Sequence, residues 1–132
     1  MQFWQHNIRV YYEDTDFSGL VYHASYLRFL ERGRTEVLRA LGIVQSQAHD
    51  SEALAFVVRH MVLDFTKPAR MDDLIEVRTH IRDIAGASLV MQQSIWREDI
   101  CLLTAEVKIA VIKGGKATRL PAELRALFTQ NT

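Results

Sequence analysis

The sequence predicts an α+β fold in which one long helix is wrapped by a curved antiparallel sheet of five strands. Three observations carry this. A short alternating strand opens the chain, one stretch with helical periodicity follows it, and from Leu54 onward the apolar period is two, broken by turn residues at short intervals.

The elements follow in order. From Asn7 to Tyr12 the residues Ile8, Val10 and Tyr12 fall on one side and Asn7, Arg9 and Tyr11 on the other, the pattern of a half-buried strand. After a polar turn over Glu13 to Gly19, Leu27, Leu30, Val37 and Leu41 recur at the spacing of a helix of about 18 residues. Gly42 suits its left-handed cap. Gly33, in mid-helix, costs about 1 kcal/mol relative to Ala; it is either a tolerated defect or a place where the backbone lies close to the sheet. Val57, Met61, Leu63 and Phe65 then alternate with polar neighbours until Pro68. Ile75, Val77, Thr79 and Ile81 form the cleanest strand, Gly86 marks a turn, Leu89 to Trp96 form another strand, and Ala105, Val107, Ile109 and Val111 point inward from the last. Gly114 and Gly115 end the sheet, and Pro121 opens a short helix with Leu124, Leu127 and Phe128 on one side. Long strands leave long edges, which predicts a homodimer or homotetramer.

The 132 residues suit one domain spanning 1–132. Sixteen Lys and Arg balance sixteen Asp and Glu, so no net field favours nucleic acid or an anionic membrane. Cys101 lies in the apolar run Ile100 to Leu103 and suits core packing better than nucleophilic chemistry. The first residues carry no basic region followed by an apolar run, and a cytoplasmic location is expected. His6, His23, His49, His60 and His80 have no zinc-like spacing, so neither a metal nor a cofactor is expected. Ser18 lacks a flanking Gly-x-Ser-x-Gly, which argues against a serine hydrolase. Asp14-Thr15-Asp16 fits a nucleotide-metal DxD only weakly.

The chemistry concentrates in the first turn, where Glu13, Asp14 and Asp16 lie within four residues. Composition alone favours an ordinary turn, because Asp, Ser and Gly are turn and cap formers. Placement favours function: a carboxylate stands just before a helix whose free N–H groups fall near Val21 to Ala24. Oriented amides of this kind stabilise the oxyanion of acyl transfer, at roughly 3 to 4 kcal/mol per donor. Asp16, with an ordinary pKa of about 3.9, is ionised at neutral pH and can act as general base or nucleophile.

Arg9-Val-Tyr-Tyr-Glu-Asp-Thr-Asp16, then Gly19-Leu-Val-Tyr-His23 through Arg34-Thr-Glu36, and Phe65-Thr-Lys-Pro-Ala-Arg-Met-Asp-Asp-Leu-Ile-Glu-Val77 resemble the YbgC group of 4-hydroxybenzoyl-CoA thioesterase-like hotdog proteins. The resemblance implies a hotdog fold and hydrolysis of short-chain or aromatic acyl-CoA, or of acyl-carrier-protein thioesters. It implies Asp16 as the catalytic carboxylate, Tyr12 and His23 as its companions, and the His23 backbone N–H as oxyanion donor. Core packing remains a rival role for Tyr12. Phe17 and Ser18 depart from the small pair usual in the group, which bears on the acyl preference. Lys67 and Arg70 are candidates for the CoA phosphates, against a charged turn with Arg70 paired to Asp72 or Asp73; Arg59, Lys113 and Lys116 serve equally well. The alternative function is a carrier-protein-binding scaffold with residual hydrolysis, linked by the same resemblance to the Tol-Pal envelope system or phospholipid synthesis.

Overall fold

The computed structural model describes residues 2–43 and 54–132; His49 lies outside them. The strands are β1 (Trp4–Arg9), β2 (Leu54–Phe65), β3 (Leu74–Arg82), β4 (Ser88–Arg97), β5 (Ile100–Lys113) and β6 (Lys116–Ala117), and the helices are α1 (Ser25–Ala40) and α2 (Ala122–Gln130). The sheet runs β1-β3-β4-β5-β2, antiparallel at every pairing. The two-residue β6 folds back on β5 through Gly114 and Gly115, both at positive φ, and adds a short ribbon to the expected five strands. Bulges between Val58 and His60 and between Ile95 and Trp96 interrupt the ladders, and such irregularities strengthen a sheet's curl.

Helix α1 lies in the curve. Its buried face is Tyr26, Phe29, Leu30, Gly33, Arg34, Val37 and Leu38. This stripe is rotated from the expected one: Leu30 and Val37 belong to it, but Leu27 is exposed and Leu41 only half-buried. The reason is Gly33. A Cβ built there would lie 2.6 Å from Val77 Cγ1, 3.2 Å from Gln93 Nε2 and 3.3 Å from Thr79 Oγ1, so the helix seats its backbone on β3 and β4. That contact decides which residues flank it inward. Gly42 has a φ of 85° just beyond the helix, as a left-handed cap requires.

The inward residues of β3, β4 and β5 match the period-two pattern, with Ile75, Val77, Ile81, Val107, Ile109 and Val111 all buried. On β2 the pattern fails: Val57 and Phe65 are exposed, as are Val58 and Val62. This strand forms one edge of the sheet, so β5 covers one of its flanks and nothing among the described residues pairs with the other. Cys101 is half-buried rather than in the core. Phe128 of α2 is fully buried against the Phe56 ring, 6.2 Å between centroids, and Arg125 ties this helix to the β3–β4 turn by bonds to Ala85 O and Gly86 O. No helix among the described residues is long and apolar enough to cross a membrane.

Candidate active site

Strand β1 ends at Arg9, and the chain enters a single 3₁₀ turn at Tyr12–Asp14. The strand that put Tyr12 on the apolar side therefore ends three residues short of it, and Tyr12 is 81 % exposed. Core packing of this ring is excluded. Asp14, by contrast, is 5 % exposed. Its Oδ2 accepts the Tyr11 N–H at 2.8 Å, its Oδ1 lies 3.9 Å from Arg28 Nη2, and its carbonyl accepts the Tyr22 N–H at 2.9 Å. Arg28 Nη2 also donates to Ser25 Oγ at 3.1 Å. Asp14 and Arg28 thus clamp the turn to the first turn of α1.

Asp16 stands at the head of the next turn. The Gly19 N–H donates to Asp16 O and the Asp16 N–H to Leu20 O, each at 3.0 Å, while Gly19 takes a φ of 83°. Asp16 Oδ1 accepts both the Ser18 N–H at 2.9 Å and the Ser18 hydroxyl at 2.5 Å. These two bonds, the hydroxyl first, hold the carboxyl below the usual carboxylate range; the His23 charge adds to them, and slight desolvation opposes. Asp16 Oδ2 accepts no hydrogen bond from the described residues, so one oxygen is fixed and the other is open to a ligand.

The donor side is built by the start of α1. Its N-cap, Ala24, has no side-chain oxygen, and the His23 and Ala24 N–H groups find no acceptor among the described residues. His23 itself is exposed, with its ring 4.5 Å from that of Tyr22. It borders an open cleft of about 370 Å³ together with Tyr26, Phe65, Lys67 and Pro68. The loop after β2 is fastened to this cleft. Tyr26 Oη accepts the Ala69 N–H at 2.9 Å, and the Val21 N–H donates to Ala69 O at 2.9 Å. Burial raises the Tyr26 phenol above its ordinary pKa, opposed by the Ala69 bond.

The fold therefore places His23 and Lys67 on one cleft at the helix start, with Asp16 outside its lining but near enough to His23 to feel its charge. Arg70 is bridged through its backbone to Leu20, and its N–H donates to Asp73 Oδ2. The rival pairing of its side chain with Asp72 or Asp73 is absent among the described residues, and Arg97 Nη1 takes the Asp73 carboxylate at 2.9 Å. Ser18, Arg28 and Tyr26 had no assigned role from sequence. The Asp-x-Ser spacing was a readable signal for Ser18, since such residues bond their own backbone and neighbours two positions on; Arg28 and Tyr26 depend on tertiary placement.

A helix cradled in a curved antiparallel sheet, with an acidic turn facing its open N-terminus, defines a hotdog-fold thioester hydrolase. The chain belongs to the thioesterase superfamily, whose family model matches residues 18–103. It is 42 % identical over 123 residues to the acyl-CoA thioesterase YbgC of Haemophilus influenzae, covering 92 % of this chain and 90 % of that one. It is 46 % identical over 126 residues to the acyl-CoA thioester hydrolase YbgC of Escherichia coli, covering 93 % of each. Among solved structures, a probable thioesterase from Bartonella henselae superposes with a TM-score of 0.87 at 46 % identity, covering 90 % of this chain and 99 % of that one.

Raising or lowering the Asp16 pKa gives a direct check on the turn. Because Ser18 stabilises the charged carboxylate, Asp16 stays ionised to lower pH than a free Asp; removing the hydroxyl with Ser18→Ala moves the acid limb of the kcat/KM profile to higher pH. An unmoved acid limb would show that this limb does not report Asp16.

Proposed function

We propose that the chain hydrolyses acyl-CoA thioesters in the cytoplasm, short-chain and aromatic acyl groups among them. The observation that carries this is the pairing of an oriented, exposed carboxylate at Asp16 with the open His23 and Ala24 N–H groups at the start of α1. In this reading the thioester carbonyl oxygen points at the His23 N–H, where developing negative charge meets the helix dipole. Asp16 Oδ2 then takes a proton from an attacking water or attacks the carbonyl carbon itself. Thiolate leaves in either case. Single-turnover hydrolysis in oxygen-labelled water gives a one-sided check: label in Asp16 marks an anhydride, because only its opening at the Asp16 carbonyl puts solvent oxygen there.

The His23 ring orients the carboxylate or the water, and Lys67, on the rim of the cleft, meets the CoA phosphates with Arg70 beside it. Tyr12, the proposed companion of Asp16, lies in the exposed turn four residues before it. Its ring, with Phe17 and Tyr22, leaves exposed aromatic surface around the turn, which keeps a carrier-protein thioester within this reading. The same surface admits the alternative of a carrier-protein scaffold with residual hydrolysis. A panel of acyl-CoA and acyl-carrier-protein thioesters, read by release of free thiol, tests both. Turnover of acyl-CoA is expected; saturable carrier-protein binding with no turnover across the panel would replace the enzyme with the scaffold.

The exposed edge of β2, with Val57, Val58, Val62 and Phe65 in water, is the surface on which a second copy would close the cleft. Light scattering is expected to give the mass of a homodimer or homotetramer, and a monomer mass at micromolar concentration would refute the pairing.

A further inference from the structure

Arg34 carries a buried charge for which the hydrolytic mechanism has no use. It is 9 % exposed and follows Gly33, where α1 rests on the sheet. Its Nη1 donates to Gln93 Oε1 at 3.0 Å. Gln93 is locked in that orientation because its Nε2 donates to Leu30 O at 3.0 Å and to Thr79 Oγ1 at 2.9 Å. The partner is thus a neutral amide, and Arg34 joins no ion pair among the described residues. Burial lowers its pKa, opposed by Glu31, but an arginine remains protonated. A buried cation with no counter-ion among the described residues is costly, and this one borders a cavity.

That cavity, about 290 Å³, lies between α1 and β2 and is walled by Leu38, Phe56, Met91 and Ile109 beside Arg34. Glu31 also borders it but is exposed, so water screens its charge. The cleft at His23 is lined by residues of the same two elements, Tyr26 of α1 and Phe65 of β2. Tyr26 meets Phe65 at one end, 5.7 Å between ring centroids, and Leu38 and Phe56 line the other. At about 1.5 Å per residue, the helix from Tyr26 to Arg34 spans about 12 Å.

We propose that the seam between α1 and β2 holds a linear aliphatic acyl chain, and that Arg34 binds a carboxylate at its far end. This rests on the thioesterase reading and extends its substrates beyond short-chain and aromatic groups to acyl chains terminated by a second carboxylate. The apolar walls take the methylenes, and the carboxylate supplies a charge that no described residue pairs with Arg34.

The test uses the full chain and two pairs of probes. Non-hydrolysable S-decyl-CoA and its ω-carboxylated thioether analogue are titrated by calorimetry, and the corresponding thioesters are assayed for thiol release. The carboxylated thioether is expected to bind at least about tenfold more tightly, as a charge-assisted bond to a buried guanidinium implies. The preference should vanish in Arg34→Gln and survive in part in Arg34→Lys. Equal binding of the two thioethers by the unaltered protein overturns the proposal, as does a preference that persists in folded Arg34→Gln. If that variant does not fold, the comparison on the unaltered protein decides alone. Release from both thioesters without a binding preference refutes the Arg34 site only; a tenfold preference without release supports the site and refutes hydrolysis.

Discussion

Replacing Asp16 by Asn is expected to lower kcat by at least about a hundredfold while leaving the fold intact, the loss expected when a positioned base or nucleophile is removed. The substitution is nearly isosteric. Asn keeps an oxygen to accept the Ser18 N–H and hydroxyl, and the backbone bonds from Gly19 to Asp16 O and from Asp16 N to Leu20 O do not involve the side chain. Asp16 is also exposed, so its neutralisation leaves no buried group unpaired. What disappears is the negative charge on Oδ2, which both routes of attack require. Steady-state thiol release with circular dichroism as the control for folding makes the measurement. An Asn variant that retains full kcat would show that another group activates the attack, and His23 would be the next residue to replace.

Gly33→Ala is expected to destabilise the protein by about 1–3 kcal/mol even though alanine is the better helix former by about 1 kcal/mol. The new methyl would lie 2.6 Å from Val77 Cγ1, and Val77 is a β-branched residue fixed on a central strand, paired with His6 on β1 and Ile95 on β4. Neither side can yield cheaply. Relief would require α1 to lift, which would stretch the Gln93 bonds to Leu30 O and Arg34 and loosen Phe29 and Leu30, both fully buried. The urea midpoint should fall with little change in slope. A midpoint equal to or above that of the unaltered protein would mean that the helix does not rest on β3 and β4 as described.

The same glycine shows how far the sequence could be read. Its cost in a helix interior pointed to a close approach, and the approach is there, but the consequence for neighbouring residues was not legible. Periodicity assigned Leu27 to the buried face, whereas docking through Gly33 turned Phe29 and Arg34 inward. The central strands were legible because both their flanks are paired, so alternation maps directly onto burial. On β2 it does not, since an edge strand meets the core on part of one face only. At the site, the order of carboxylate, turn glycine and helix start was visible in the residues from Asp16 to His23. The tie from Asp14 through Arg28 to Ser25 and the bond from Ala69 to Tyr26 were not, because each depends on segments that meet only after folding. Tyr12 was misplaced for a smaller reason, the early end of β1.

With α1 bolted to β3 and β4 at Gly33, this helix cannot roll or slide to reshape the groove beside it. Changes in the width of that groove then fall mainly to the side chains of β2, where Val57 and Val58 line it and are exposed, so they can change size without disturbing the seat of the helix. The seat of the helix and the wall of the groove can thus evolve at different speeds.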